Sequence, residues 1–112
     1  MDIKDFVKTV AAVAKEKGWW ENEDRNFGEV IALIHSELSE ALEEWRKPDA
    51  KMFYMEENKP EGVLVELADV FIRIGDLVGN TESMGAEFFE LVLKEKMAYN
   101  LERPHRHGGK RA

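Results

Sequence analysis

The sequence predicts an all-α protein arranged as a four-helix bundle. Three observations carry that prediction. Apolar residues recur at i, i+3, i+4 and i+7 through most of the chain, rather than in strict alternation. Punctuation falls at Gly18, at Lys47-Pro48 and at Gly79-Asn80-Thr81, and cuts the chain into pieces of helical length. The 112 residues make one domain, 1–112, which closes in a basic tail from 103 to 112. A chain of this size often gains stability by oligomerising.

The first helix is expected over residues 2 to 17, where Phe6, Val7, Val10, Val13 and Ala14 share a face and Gly18 supplies the stop. A polar connection opened by Trp19 and Trp20 follows. Two adjacent indoles cannot both face the core of one helix. Either one packs while the other covers a neighbouring element, or one offers a flat stacking face to a ring-shaped ligand.

The second helix is expected from about Asn26 to Arg46, with Phe27, Val30, Ile31, Ile34, Leu38, Ala41, Leu42 and Trp45 as its apolar stripe. At roughly 100° per residue, Glu37, Glu40 and Glu44 line one flank of that stripe, at the core boundary where isolated carboxylates are costly. Glu29, Ser36, Ser39 and Glu43 fall toward solvent, and His35, two residues before Glu37, reads as structural or surface. Lys47-Pro48 ends the helix. Residues 48 to 60 read as a connection in which Met52, Phe53, Tyr54 and Met55 form a short turn over the core or an interface.

The third helix is expected to begin at Pro60 or Glu61 and end near Gly79. It is apolar nearly all round, which predicts burial on several sides. Its one polar strip is Glu66, Asp69, Arg73 and Asp76, with Arg73 expected to pair with Asp69 or Asp76. Thr81 is the expected N-cap of the fourth helix, which runs to about Leu101. On it Lys96, Asn100 and Arg103 form a polar stripe of donors without an acid.

The chemistry is suggested by the carboxylates. Glu37 and Glu40 stand three apart in one helix, and Glu66 and Asp69 repeat the spacing about 25 residues later in another. Residues three apart share a helix face. Four pooled acids resist ionising together, and a hard divalent cation with oxygen ligands relieves that. Magnesium or manganese suits the set better than zinc, which prefers nitrogen or sulfur. It also suits it better than a di-iron centre, which uses a Glu-x-x-His pair, because neither acid pair here is followed by a histidine at that spacing. Magnesium typically bridges to substrate phosphates and polarises phosphoryl oxygens. The stripe of Lys96, Asn100 and Arg103, with the basic tail, is suited to hold the remaining phosphates.

Composition excludes other classes. The net charge of −7 argues against general nucleic-acid binding. No apolar run approaches the roughly 18 residues of a membrane span, the start of the chain lacks the plan of a signal peptide, and there is no cysteine. A cytoplasmic protein is expected. The chain has no Walker-type glycine loop.

Glu37-x-x-Glu40 followed by Glu66-x-x-Asp69 resembles the signature of the MazG-like nucleoside triphosphate pyrophosphohydrolases. The words Ser36-Glu37-Leu38-Ser39-Glu40-Ala41 and Glu66-Leu67-Ala68-Asp69-Val70 match too. So do the closing segments from Lys96 to Asn100 and from Arg103 to Lys110. The resemblance implies a MazG-type all-α bundle working as a homodimer or a homotetramer, a dimer of dimers. It implies cleavage of nucleoside triphosphates between the α and β phosphates, dependent on Mg²⁺ with Mn²⁺ as a possible substitute, giving a nucleoside monophosphate and pyrophosphate. Glu37, Glu40, Glu66 and Asp69 would bind the metal. Glu37 or Glu40, or a metal-bound hydroxide, would activate the attacking water. Lys96, Asn100, Arg103, His107 and Lys110 would hold phosphates, and Trp19 or Trp20 would contact the base. Two other readings are a non-catalytic helical module binding nucleotides or a protein, and a purely structural oligomer.

Overall fold

The computed structural model describes residues 1–20 and 26–103. Within them the chain forms α1 (Ile3–Glu16), α2 (Phe27–Arg46), β1 (Tyr54–Glu56), β2 (Lys59–Glu61), α3 (Val63–Gly79) and α4 (Ala86–Glu102). The protein is mainly helical, as its periodicity predicts. No helix among the described residues is long and apolar enough to cross a membrane.

Helix starts are set by side chains that accept from free amides. The Asp2 carboxylate takes the Asp5 N–H at 2.8 Å and begins α1, and the Asn26 amide oxygen takes the N–H of Gly28 at 2.7 Å and begins α2. At the far end of α1 the chain turns through Gly18 in the left-handed region, φ 82°.

The connection from Pro48 to Pro60 holds a hairpin that helical and turn signals do not reveal. β1 and β2 pair antiparallel, Tyr54 opposite Glu61 and Glu56 opposite Lys59. Glu57 and Asn58 make the two-residue turn, both with positive φ. Pro60 lies in β2, not in a helix, so α3 starts later than the proline suggests. What starts α3 is backbone: the N–H groups of Val63 and Leu64 donate to the carbonyls of Lys51 and Met52 at 3.1 and 3.0 Å. That close approach needs Gly62, at φ 119°, where a Cβ would sit 2.6 Å from the Met52 carbonyl oxygen.

The fourth helix also begins later than expected. Thr81 does not cap it; its hydroxyl donates back to the Leu77 carbonyl and closes the end of α3. α4 starts at Ala86, after Gly85.

α3 is the central element. On one side Val70 and Leu77 pack with Val30 and Ile34 of α2. On the other, Val78 packs with Val7 of α1 and with Ala86, and Ile74 touches both groups. Gly75 lets α1 come close, because a side chain there would strike Val10. Lys8 and Glu87 bridge α1 to α4 at 2.9 Å. α4 touches α1 and α3, but not α2.

Burial differs from expectation on two faces. Phe27, Leu38, Leu42 and Trp45 of the α2 stripe are exposed. α3 is not enclosed all round either: Leu64, Leu67 and Phe71 line an open face, with Phe71 68 % exposed. α2 packs on α3 and α3 packs on α1 as well, and among the described residues no further element covers the remainder.

Candidate functional site

Glu37 and Glu40 lie on neighbouring turns of α2, and Glu66 lies one turn into α3, just after the backbone contact that fixes the start of that helix. Each offers one carboxylate oxygen such that all three lie within 4.8 Å of one another. The packing of Val30 and Ile34 on Val70 holds α2 and α3 together and so brings the acids together. Glu37 and Glu66 are partly buried, while Glu40 is exposed.

The electrostatics are those of acids held too close. Burial pushes the Glu66 carboxyl up to about 7, aided by the Glu40 charge, by a hydrogen bond with Glu37 and by the charges of Glu37 and Asp69. Asp69, one turn further along α3, is also raised, by burial and then by Glu37, while Arg73 and Lys59 pull it back. Asp69 therefore lies within electrostatic reach but outside the close group of three. Lys59 pairs with Glu61 at 3.3 Å and acts on Asp69 through its charge alone.

Arg73 does not take Asp69 or Asp76 as its main partner. It crosses to α2, where its Nε donates to a Glu37 oxygen at 3.0 Å and one terminal nitrogen stands 3.0 Å from the same oxygen as an ion pair. Asp76 faces elsewhere. It is 1 % exposed and accepts from the Trp20 indole N–H and from the Asn80 amide, the latter at 2.9 Å. Trp20 is thus the packing member of the indole pair, and Trp19 is 47 % exposed. Glu44 does not join the site: it pairs with Lys47 at 2.8 Å. His35 is exposed.

The donor stripe is not brought to the acids within this chain. Lys96 and Arg103 both lie over the Tyr99 ring, 4.9 and 5.5 Å from its centroid. Asn100 is exposed beside them, and the helix that carries all three does not touch α2. His107 and Lys110 lie outside the described residues.

Chemically, the three oxygens fit a hard cation. Around Mg²⁺ adjacent ligand oxygens stand about 3 Å apart and opposed ones about 4 Å, so three oxygens within 4.8 Å of one another would have to draw together to share an ion. Nitrogen and sulfur ligands are not among the grouped atoms, which favours magnesium or manganese over zinc.

Sequence reasoning placed Arg73 on the polar strip of α3 but not its partner Glu37, and it did not single out Lys59. Helical spacing reports neighbours on one helix, and both of these act across elements. No protein-family model, curated protein or solved structure matches the chain, so a functional reading rests on the side-chain arrangement and on the motif words.

Proposed function

We propose that the protein is a cytoplasmic, Mg²⁺-dependent nucleoside triphosphate pyrophosphohydrolase of MazG-like type. The observation that carries the reading is the convergence of Glu37, Glu40 and Glu66 from two helices, with Asp69 alongside. Burial first and the neighbouring acids second make the ionised form of Glu66 costly, and a bound cation would relieve that cost.

Glu37, Glu40, Glu66 and Asp69 would hold the magnesium, and Mn²⁺ would serve in its place. When bound, the ion neutralises and polarises the phosphate oxygens. Water attacks phosphorus and the bridging P–O bond between the α and β phosphates breaks. The water's proton passes to a carboxylate, and a nucleoside monophosphate and pyrophosphate leave. Glu40, the open member of the cluster, is the acid we assign to that proton, with Glu37 orienting the site.

Lys96, Asn100 and Arg103 would contact phosphates from a second copy, since α4 of the same chain does not touch α2. The open faces of Leu38, Leu42 and Trp45 on α2 and of Leu64, Leu67 and Phe71 on α3 support a homodimer or homotetramer. The exposed face of Trp19 suits a nucleobase.

The test is pyrophosphate release from a panel of ribo- and deoxyribonucleoside triphosphates with Mg²⁺. EDTA should abolish it. Glu40→Gln and Asp69→Asn should each lower turnover at least a hundredfold with helical content retained. Full activity in both variants would refute the site, and nucleotide binding without any product would favour the non-catalytic module.

A further inference from the structure

We propose that Arg73 is a resident counter-ion of the acidic site, which gives up Glu37 when a divalent cation loads and takes a phosphate of the substrate instead. This rests on the metal reading above and adds to it a residue with two successive partners.

The geometry is specific. Nε and one terminal nitrogen of Arg73 converge on a single oxygen of Glu37, both at 3.0 Å. The two side chains come from different helices and are mostly enclosed, 29 % and 12 % exposed. The guanidinium is therefore held at the cluster and does not sweep through solvent. Glu37 is one of the three acids whose oxygens lie within 4.8 Å of one another. A cation joining those oxygens must share Glu37 with a positive charge already bonded to it. Like charges at this range repel strongly where water is partly excluded.

Arg73 also has capacity to spare. A guanidinium carries five N–H groups, and Glu37 takes the one on Nε, with a terminal nitrogen 3.0 Å from the same oxygen. No other hydrogen bond or ion pair of Arg73 is recorded among the described residues. The outer edge of the fork is free to accept an anion in the bidentate manner that suits phosphate. With Glu37 given over to a divalent ion, the fork of Arg73 would stand one helical turn from Asp69, free to hold a phosphate at the acids. The exchange costs no net charge: the carboxylate moves from arginine to the cation, and the arginine moves to the phosphate.

The test uses the full-length protein and two variants, Arg73→Gln and Arg73→Lys, with two readouts. The first is Mn²⁺ affinity without nucleotide, followed by the rise in Tm across a Mn²⁺ titration. Arg73→Gln removes the competing charge, so its half-saturating Mn²⁺ should fall roughly three- to tenfold. Arg73→Lys keeps the charge and should stay within about twofold of wild type. The second readout is KM for a nucleoside triphosphate at saturating Mg²⁺. It should rise at least tenfold in both variants, because neither can make the bidentate contact.

Unchanged or weaker Mn²⁺ binding in Arg73→Gln overturns the proposal, and so does an unchanged KM in both variants. A wild-type protein that takes up no Mn²⁺ overturns the metal reading itself, which separates that failure from failure of the exchange. Should Arg73→Gln fail to fold, Arg73→Lys still decides: a wild-type KM in that variant sinks the proposal.

Discussion

Replacing Glu66 by glutamine should make the metal-free protein more stable at neutral and alkaline pH. Its carboxyl titrates at about 7 in the fold against an ordinary 4.5. A raised acid pKa means that the fold disfavours the ionised form. Below pH 4.5 the group is protonated in folded and unfolded chains alike, and nothing is lost. As pH rises from 4.5 to 7 the unfolded chain ionises first, so stability falls through that window and is then level. The full shift corresponds to a ceiling of about 3 kcal/mol. Glu66 is only partly buried, and solvent screening brings the expected effect down to about 1 kcal/mol. Glutamine keeps the shape and never ionises. Thermal melts in EDTA should therefore show Glu66→Gln above wild type by about 4 °C at pH 8, with the gain shrinking toward zero by pH 4.5. The same variant should lose most of the stabilisation that Mg²⁺ gives wild type. A variant no more stable than wild type at pH 8, or one with the same gain at both pH values, would show that the acids do not strain the fold.

Three further outcomes follow from the packing. Gly62→Ala forces a Cβ to 2.6 Å from the Met52 carbonyl at a φ of 119°, and chemical denaturation should show a loss of about 2–3 kcal/mol. Since Gly62 precedes the helix that carries Glu66 and Asp69, divalent binding should weaken as well. Trp20→Phe removes the indole donor to buried Asp76 and should cost about 1–3 kcal/mol by the same measurement. Leu64→Ser with Leu67→Ser alters an open face of α3, so the chain should remain folded. Sedimentation should show the variant near the 12.9 kDa of one chain and the wild type at a multiple of it. A wild type that sediments as a single chain would remove the oligomer from the account.

The helices were legible because their apolar residues keep a 3.6 period and their ends carry recognisable residues. Gly18 and Lys47-Pro48 do what their chemistry suggests. The hairpin was not legible: three-residue strands are too short to show alternation, and Glu57-Asn58 is a weak turn signal. Pro60 and Thr81 misled for the same reason. Each is a good helix starter whose preference lost to another contact close in sequence, strand pairing with Met55 for Pro60 and the Leu77 carbonyl for Thr81. Of the site, the carboxylate pairs were readable because spacing of three on a helix fixes a shared face. The Arg73 partner was not, since within α3 it has Asp69 and Asp76 at equally good spacing. Only the approach of α2 makes Glu37 the nearer acid. The link from Trp20 to Asp76 joins positions 56 residues apart and has no local signature. The open faces of α2 and α3 went unforeseen because periodicity reports which residues are apolar, not what covers them.

The central claim, that acids from α2 and α3 share a divalent cation, is tested most directly by electron paramagnetic resonance of Mn²⁺ titrated into the metal-free protein. The account predicts that the free-ion signal is depleted by wild type at submillimolar Mn²⁺. It predicts that the signal is restored when Glu37 and Glu66 are both changed to glutamine in a protein that remains helical. Equal depletion by wild type and that double variant, or none by either, would contradict it.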